Sequence, residues 1–428
     1  MMFRILGVMA AMALVAPSVA AGAEWRYAIE YSPSYSSNIT RAADNEIEDY
    51  INGVTLELGY QERSSVLEGS VTASVEHFSY RSGLFQDETR TALDADLRWA
   101  LVRNRLFWVV EDRATVEPVF YRQAWTPGNI QQTNVFATGP SLSYRLEGSN
   151  RVTADLRFIS SYAEVTKEYQ SNRWYLATSL IQQRSIVTDL SANLTLTSTD
   201  YALSYADDFQ QADLFLAWER RRSGSGFRLE LGGVAASFDE EGERYTSRLG
   251  LVWNRVISSA SRIRLVLVHG LSDAAQSALG TVSATPAVRG RFTALGRNIS
   301  SQVYENNELG LSYRIEWARS NLEAIVNYQK QIYVNSRDMD QDLLNASMIW
   351  SRGFAGGISS ELGVLFTGTE YERDGRKDST VVPFWGLHLQ RSSSIYYSLR
   401  VDREIRDSSA DGQDYDELVV SAAIGYRY

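Results

Sequence analysis

The sequence predicts an all-β fold: a transmembrane, antiparallel up-and-down β-barrel of about 20 strands (range 18–20), preceded by a cleaved signal peptide. Three observations lead there. Segments of alternating apolar and polar residues recur from Trp25 to the last residue, the connections between them alternate in length, and no apolar run beyond the N-terminus is long enough for a membrane helix.

Residues 1–23 carry the marks of an export signal. Met1 to Arg4 is a short basic start, Ile5 to Val15 is apolar, and Ala20 and Ala23 close small-x-small cleavage patterns. The mature chain, 24–428, has no compositional break and is expected to be one domain. It contains no cysteine, so an exported protein of this size relies on sheet closure or a large core rather than disulfides. Removing Arg4 leaves 41 basic residues against 52 acidic ones, a net of −11, which argues against nucleic acid as a partner. Ten Trp, 24 Tyr and 15 Phe against seven Pro favour a chain that meets membrane–water interfaces.

Taken in order, the first strand is expected near Trp25 to Ser32, where Trp25, Tyr27, Ile29 and Tyr31 alternate with Arg26, Ala28, Glu30 and Ser32. A polar loop, Pro33 to Asp49, leads to Val54, Leu56, Leu58 and Tyr60. The same alternation sets Leu93, Ala95, Leu97 and Trp99 against Asp94, Asp96 and Arg98. It sets Val152, Ala154, Leu156 and Phe158 against Asp155 and Arg157, and Leu309 to Trp317 against Arg314 and Glu316. Long connections are expected near Val119 to Gln131, Glu168 to Asn172, Asp239 to Glu243, Ser272 to Ser300, Glu372 to Ser379 and Asp407 to Asp414. Short turns fall between them. In outer-membrane barrels the short turns are periplasmic, so both termini are expected there. Trp99, Trp108, Trp218, Trp253, Trp317 and Trp350 all lie close to short turns, as a periplasmic aromatic girdle requires. The Ser272 to Ser300 connection, with Arg289, Arg291 and Arg297, is expected to be extracellular and to restrict a pore.

The closing segment, Glu417 to Tyr428, puts Leu418, Val420, Ala422, Ile424, Tyr426 and Tyr428 on one parity and ends on an aromatic. It resembles the closing strand of bacterial outer-membrane barrels. That likeness implies that Ile424, Tyr426 and Tyr428 carry a signal for the barrel-assembly machinery. The stretches Tyr31–Asn38 (YSPSYSSN), Glu111–Val116 (EDRATV) and Asn134–Leu146 (NVFATGPSLSYRL) resemble the outer-membrane β-barrel family associated with exopolysaccharide export and exosortase (PEP-CTERM) gene clusters. The resemblance implies a bacterial outer-membrane location, lipid and lipopolysaccharide as surroundings, and polysaccharide-export components as partners.

Chemistry of the catalytic kind is not expected. There are three histidines: His77 and His269 share parity with apolar neighbours, and His388 lies on the opposite parity without a Gly-x-Ser-x-Gly turn. Asp407, Asp411, Asp414 and Asp416 lack the spacing of a calcium loop, and no phosphate-binding loop precedes a helix. No cofactor is implied. The polar parity instead predicts the interior: Asp94, Asp96, Arg98, Arg145, Asp155, Arg157, Glu230, Arg248, Arg264, Arg314, Glu316 and Arg400 point inward if the apolar parity meets lipid. Two readings stay open for these charges, a stiffened wall of ion pairs and a hydrated channel for a polar solute such as a surface polysaccharide. The alternatives to a channel are a non-conducting docking barrel and, behind it, an outer-membrane enzyme.

Overall fold

The computed structural model describes residues 23–203, 206–280 and 300–428, so the expected signal peptide lies, but for its last residue, outside the described residues. Twenty strands follow one another. The first ten are β1 (Glu24–Ser36), β2 (Asp49–Arg63), β3 (Leu67–Tyr80), β4 (Glu88–Val102), β5 (Leu106–Pro118), β6 (Ile130–Arg145), β7 (Asn150–Ala163), β8 (Ser171–Ser185), β9 (Thr188–Tyr201) and β10 (Phe209–Arg222). The rest are β11 (Ser225–Phe238), β12 (Gly242–Ser258), β13 (Ser261–Ser272), β14 (Tyr304–Glu316), β15 (Ser320–Tyr333), β16 (Gln341–Gly353), β17 (Ile358–Tyr371), β18 (Lys377–Gln390), β19 (Ile395–Ser408) and β20 (Tyr415–Arg427). Each pairs antiparallel with its sequence neighbours, and β1 also pairs with β20, so the sheet closes without an edge. The strand number and architecture are those the alternation predicts.

Strand lengths run from 12 residues in β13 to 17 in β12, enough for a tilted crossing of a bilayer, which takes roughly 9–11. Alternation decides which side chains go where. In β10, Leu214 and Leu216 are 66% and 59% exposed on the outer wall, while Asp213, Phe215 and Ala217 between them are buried inside. Among the described residues, no helix is long and apolar enough to cross a membrane.

Some boundaries differ from the sequence reading. β1 extends through Pro33 to Ser36, because Pro33 sits where the ladder to β20 is already interrupted. Rungs exist at Tyr31–Ile424 and Ser34–Ser421 but not between, and a proline has no N–H to supply one. Pro140 and Pro383 coincide with like gaps in β6 and β18. The β11–β12 connection shrinks to 239–241, no longer than several turns at the opposite end. The remaining long connections share one end of the barrel with it, as expected.

Candidate functional site: the barrel interior and its loop-side mouth

Register places all twelve expected interior residues on the inner face. Asp96 faces Glu111 and Asp94 faces Arg113 across β4–β5; Arg157 faces Tyr175; Arg248 faces Gly232; Arg314 faces Glu323; Arg400 faces Gly386 and Ser421. Asp155, Glu230, Arg98, Arg145, Arg264 and Glu316 share that parity within their strands. Most of these charges are spent on one another. Arg113 bridges Asp94 (3.3 Å) and Asp96 (2.7 Å), Arg157 reaches Asp155 (3.3 Å), and Arg248 bridges Asp213 (2.9 Å) and Glu230 (3.1 Å). Arg314 and Arg262 share Glu316, and Arg400 holds Asp402 at 3.0 Å. The ion-paired wall is therefore real, and it lines an interior that also contains recesses.

Glycines shape that lining. Phe215 and Gly232 are cross-strand partners, as are Phe384 and Gly363, and Tyr396 and Gly425. A β-carbon on Gly363 or Gly425 would fall within 2.5 Å of Phe384 Cζ or Tyr396 Cζ, so those rings lie over bare backbone; on Gly232 it would meet the Leu214 carbonyl oxygen and Phe215 Cβ, a close approach of the two strands. Arginines then stack on the rings: Arg248 over Phe215 at 4.0 Å, Arg400 over Phe384 at 4.2 Å, and Arg98 over Phe107 at 3.7 Å. Sequence reasoning found the arginines but missed their aromatic supports, because the pairing that joins them is set by register between strands.

Two connections fold inward at the loop-side mouth. The 119–129 segment is organised by Asn129, whose Oδ1 accepts the Phe120 N–H (2.8 Å) and whose Nδ2 donates to the carbonyls of Phe120 and Ala124 (both 3.0 Å). It then reaches across the opening. Arg122 pairs with Asp374 (3.1 Å) and lies over the Tyr371 ring (4.2 Å), while Arg376 and Arg406 donate to the Arg122 carbonyl (2.7 and 3.1 Å). From β5 to β1 is four steps and from β1 to β17 four more, so this contact spans eight of the 20 strands. Arg41, in the 37–48 connection, ties the same region together. It binds Glu404 and Glu417 (2.8 Å each) and donates to the Trp125 carbonyl (2.5 Å). Burial works against the charge on Arg41, yet Glu404, Tyr415 and Glu417 hold its pKa above the usual arginine range.

The second element begins the Ser272–Ser300 connection. Asp273 caps a short helix, α1 (Ala274–Gly280), accepting N–H groups from Ala275 (2.9 Å) and Gln276 (3.0 Å). Ala274 and Ala275 pack against Val135, Ala137, Ile159 and Ala163 of the inner wall. Asp273 also forms a buried ion pair with Arg173 of β8 at 2.8 Å. This flank of the connection thus lies inside the mouth; the expected basic residues Arg289, Arg291 and Arg297 lie outside the described residues.

On the outer wall, Ile424, Tyr426 and Tyr428 face outward along the seam with β1. Trp99 and Trp108 are cross-strand partners, and Trp218, Trp253 and Trp350 also face outward in the short-turn half of their strands. Trp317 lies in the 317–319 turn itself. His77 bonds Thr89 (3.1 Å) and His269 bonds Asn307 (2.8 Å) with Thr246 at 3.5 Å, all within the sheet. His388 faces the interior, as its parity predicts. Among the described residues no cluster fits a metal.

No family model and no curated protein matches the sequence. Among solved structures, the chain is similar to OccK2 (OpdF) of Pseudomonas aeruginosa in complex with glucuronate, at 9% identity and TM-score 0.39, covering 95% of this chain and 98% of that one. OpdK of the same organism with vanillate aligns at 10% identity and TM-score 0.39, over 95% and 99%. Acinetobacter baumannii OccAB4 aligns at 9% and 0.40, over 96% and 100%.

Proposed function

We propose that the protein is a bacterial outer-membrane channel that passes a polar solute without covalent chemistry, in a mature form that begins after the expected signal peptide. One observation carries this reading: an edgeless ring of strands whose outer face is apolar and whose inner face is charged and hydrogen-bonding, narrowed at one mouth by inward-folded connections. Such a wall is stable only with lipid outside and polar contents inside. Surface or exported polysaccharide is the solute proposed from the sequence resemblance, with polysaccharide-export components as partners. Lipopolysaccharide and lipid meet the outer wall, and the barrel-assembly machinery reads the closing strand.

The test is single-channel conductance of the purified mature chain in a planar bilayer. Discrete steps that a deletion of Ala278 to Gly296 enlarges support a channel throttled at its mouth. Absence of steps in both the native chain and the deletion variant sinks the channel reading. It would leave the docking barrel, which the ties of Arg41 and Arg122 across the mouth also fit.

A further inference from the structure

The interior is uneven in how its polar groups are used. Over most of the wall arginines and carboxylates neutralise one another, but one recess of about 460 Å³, on the inner faces of β16–β20 and β1, departs from this. Glu361, His388, Ser359, Ser398 and Ser421 line it and are half-buried, and among the described residues their side chains make no hydrogen bond or ion pair, though the His388 ring lies 5.4 Å from that of Tyr396. The only guanidinium in the lining from the inner parity, Arg400, is engaged by Asp402 and stacked on Phe384. Beside the recess, the Tyr396 ring lies flat over Gly425, and its hydroxyl donates to Glu30, another lining residue, at 2.8 Å.

We propose that this recess is a binding subsite for a neutral polyhydroxylated solute, one sugar ring in size, within the channel. Unspent hydroxyls offer both donors and acceptors, and the free Glu361 carboxylate accepts from a solute hydroxyl. An anionic solute is disfavoured on the inner face, because the carboxylates Glu30 and Glu361 line it and Arg400 is already paired with Asp402, while Arg352 reaches the lining only from the outer parity, where its guanidinium lies over the Phe354 ring (5.5 Å). The Tyr396 ring beside these groups, with the His388 ring 5.4 Å and the Arg427 guanidinium 5.7 Å from it, adds an aromatic edge for the C–H side of a sugar ring, held in place because its hydroxyl is anchored and no side chain on Gly425 displaces it.

The proposal rests on the channel reading, yet binding is measurable without conduction. Saturation-transfer NMR on the full mature chain in detergent, with glucose, glucosamine and glucuronate as probes, reports it directly. Glucose is expected to bind, glucuronate at least tenfold more weakly, and both Ser398→Leu and Glu361→Leu to reduce glucose binding at least tenfold while heat-modifiable gel migration stays native. Glucuronate binding as well as glucose overturns the proposal. So does binding of glucosamine alone, which would mark a simple cation site, or glucose binding that survives both variants. Should glucose bind while no conductance is ever seen, the subsite stands and the channel reading alone falls.

Discussion

Tyr428 stacks on Tyr27 across the seam of the barrel, ring centroids 5.0 Å apart and planes 15° from parallel, while the two residues exchange backbone hydrogen bonds of 2.8 and 3.2 Å. The last residue of the chain is therefore the end clasp of the β1–β20 pairing. The ladder above it lacks two rungs at Ser32 and Pro33, so this clasp carries more of the closure than an end pair usually does.

Deleting Tyr428 is accordingly expected to lower the amount of barrel in the outer membrane several-fold while leaving the conductance of inserted molecules unchanged. Quantitative blotting of outer-membrane fractions beside single-channel recording checks this. Native abundance after the deletion would dissociate the clasp from assembly.

The mature chain should fold only in lipid or detergent. Side chains such as Leu214, Leu216, Leu309 and Leu311 ring the outer wall and would otherwise meet water. Circular dichroism dominated by β-structure and heat-modifiable gel migration are the expected signs; a stable monomer in detergent-free buffer would contradict them.

Asp273→Ala should release α1 from the inner wall. The substitution removes both the helix cap and the partner of the buried Arg173, and breaking a buried ion pair from one side costs about 3–5 kcal/mol. Faster proteolysis between β13 and β14, with a larger conductance and an intact barrel, is the expected result. Replacing both partners, Arg173→Met with Asp273→Leu, should recover most of the docking, since no unpaired charge then remains inside.

The tie between the 119–129 connection and β17–β18 should weaken in acid. Desolvation opposes ionisation of Asp374, but the Arg376 N–H and the Arg122 guanidinium outweigh it and hold its pKa below the ordinary aspartate value. A carboxylate depressed on folding contributes above its unfolded pKa and loses that contribution as pH falls through the folded value. Protection of the 119–129 segment from protease should therefore persist through mildly acidic pH and vanish below the usual aspartate range. Asp374→Asn should abolish the pH dependence; an unchanged profile in that variant would assign it to another carboxylate, Asp378, the partner of Arg376 and Arg406.

Much of this architecture was legible in the sequence because a strand writes its two faces onto alternate residues. Asp94, Asp96 and Arg98 could be assigned inward from their own neighbours alone, and so could His388. The Ile186–Val187 turn could not, since apolar residues occupy it and the alternation of β8 runs on without glycine or asparagine; Ile186 is 95% exposed. Arg41, Arg122 and the Arg173–Asp273 pair were invisible for another reason. Their partners lie hundreds of residues or several strands away, and nothing local in the sequence encodes which connections fold inward. The Arg248–Phe215 stack, on strands either side of Gly232, needed the register of three strands before any one of its residues had a role.

A ring of hydrogen-bonded strands behaves mechanically as a hoop. With strands about 4.8 Å apart its perimeter is fixed, on the order of 100 Å for 20 strands, but its outline is not, because a hoop flattens to an oval without breaking any ladder. Arg41 and Arg122 act as tie rods across one opening and turn that rim into a braced frame. Among the described residues no hydrogen bond crosses the opposite rim. The bracing thus falls at the end where the connections are long, the reverse of what connection length alone would lead one to expect.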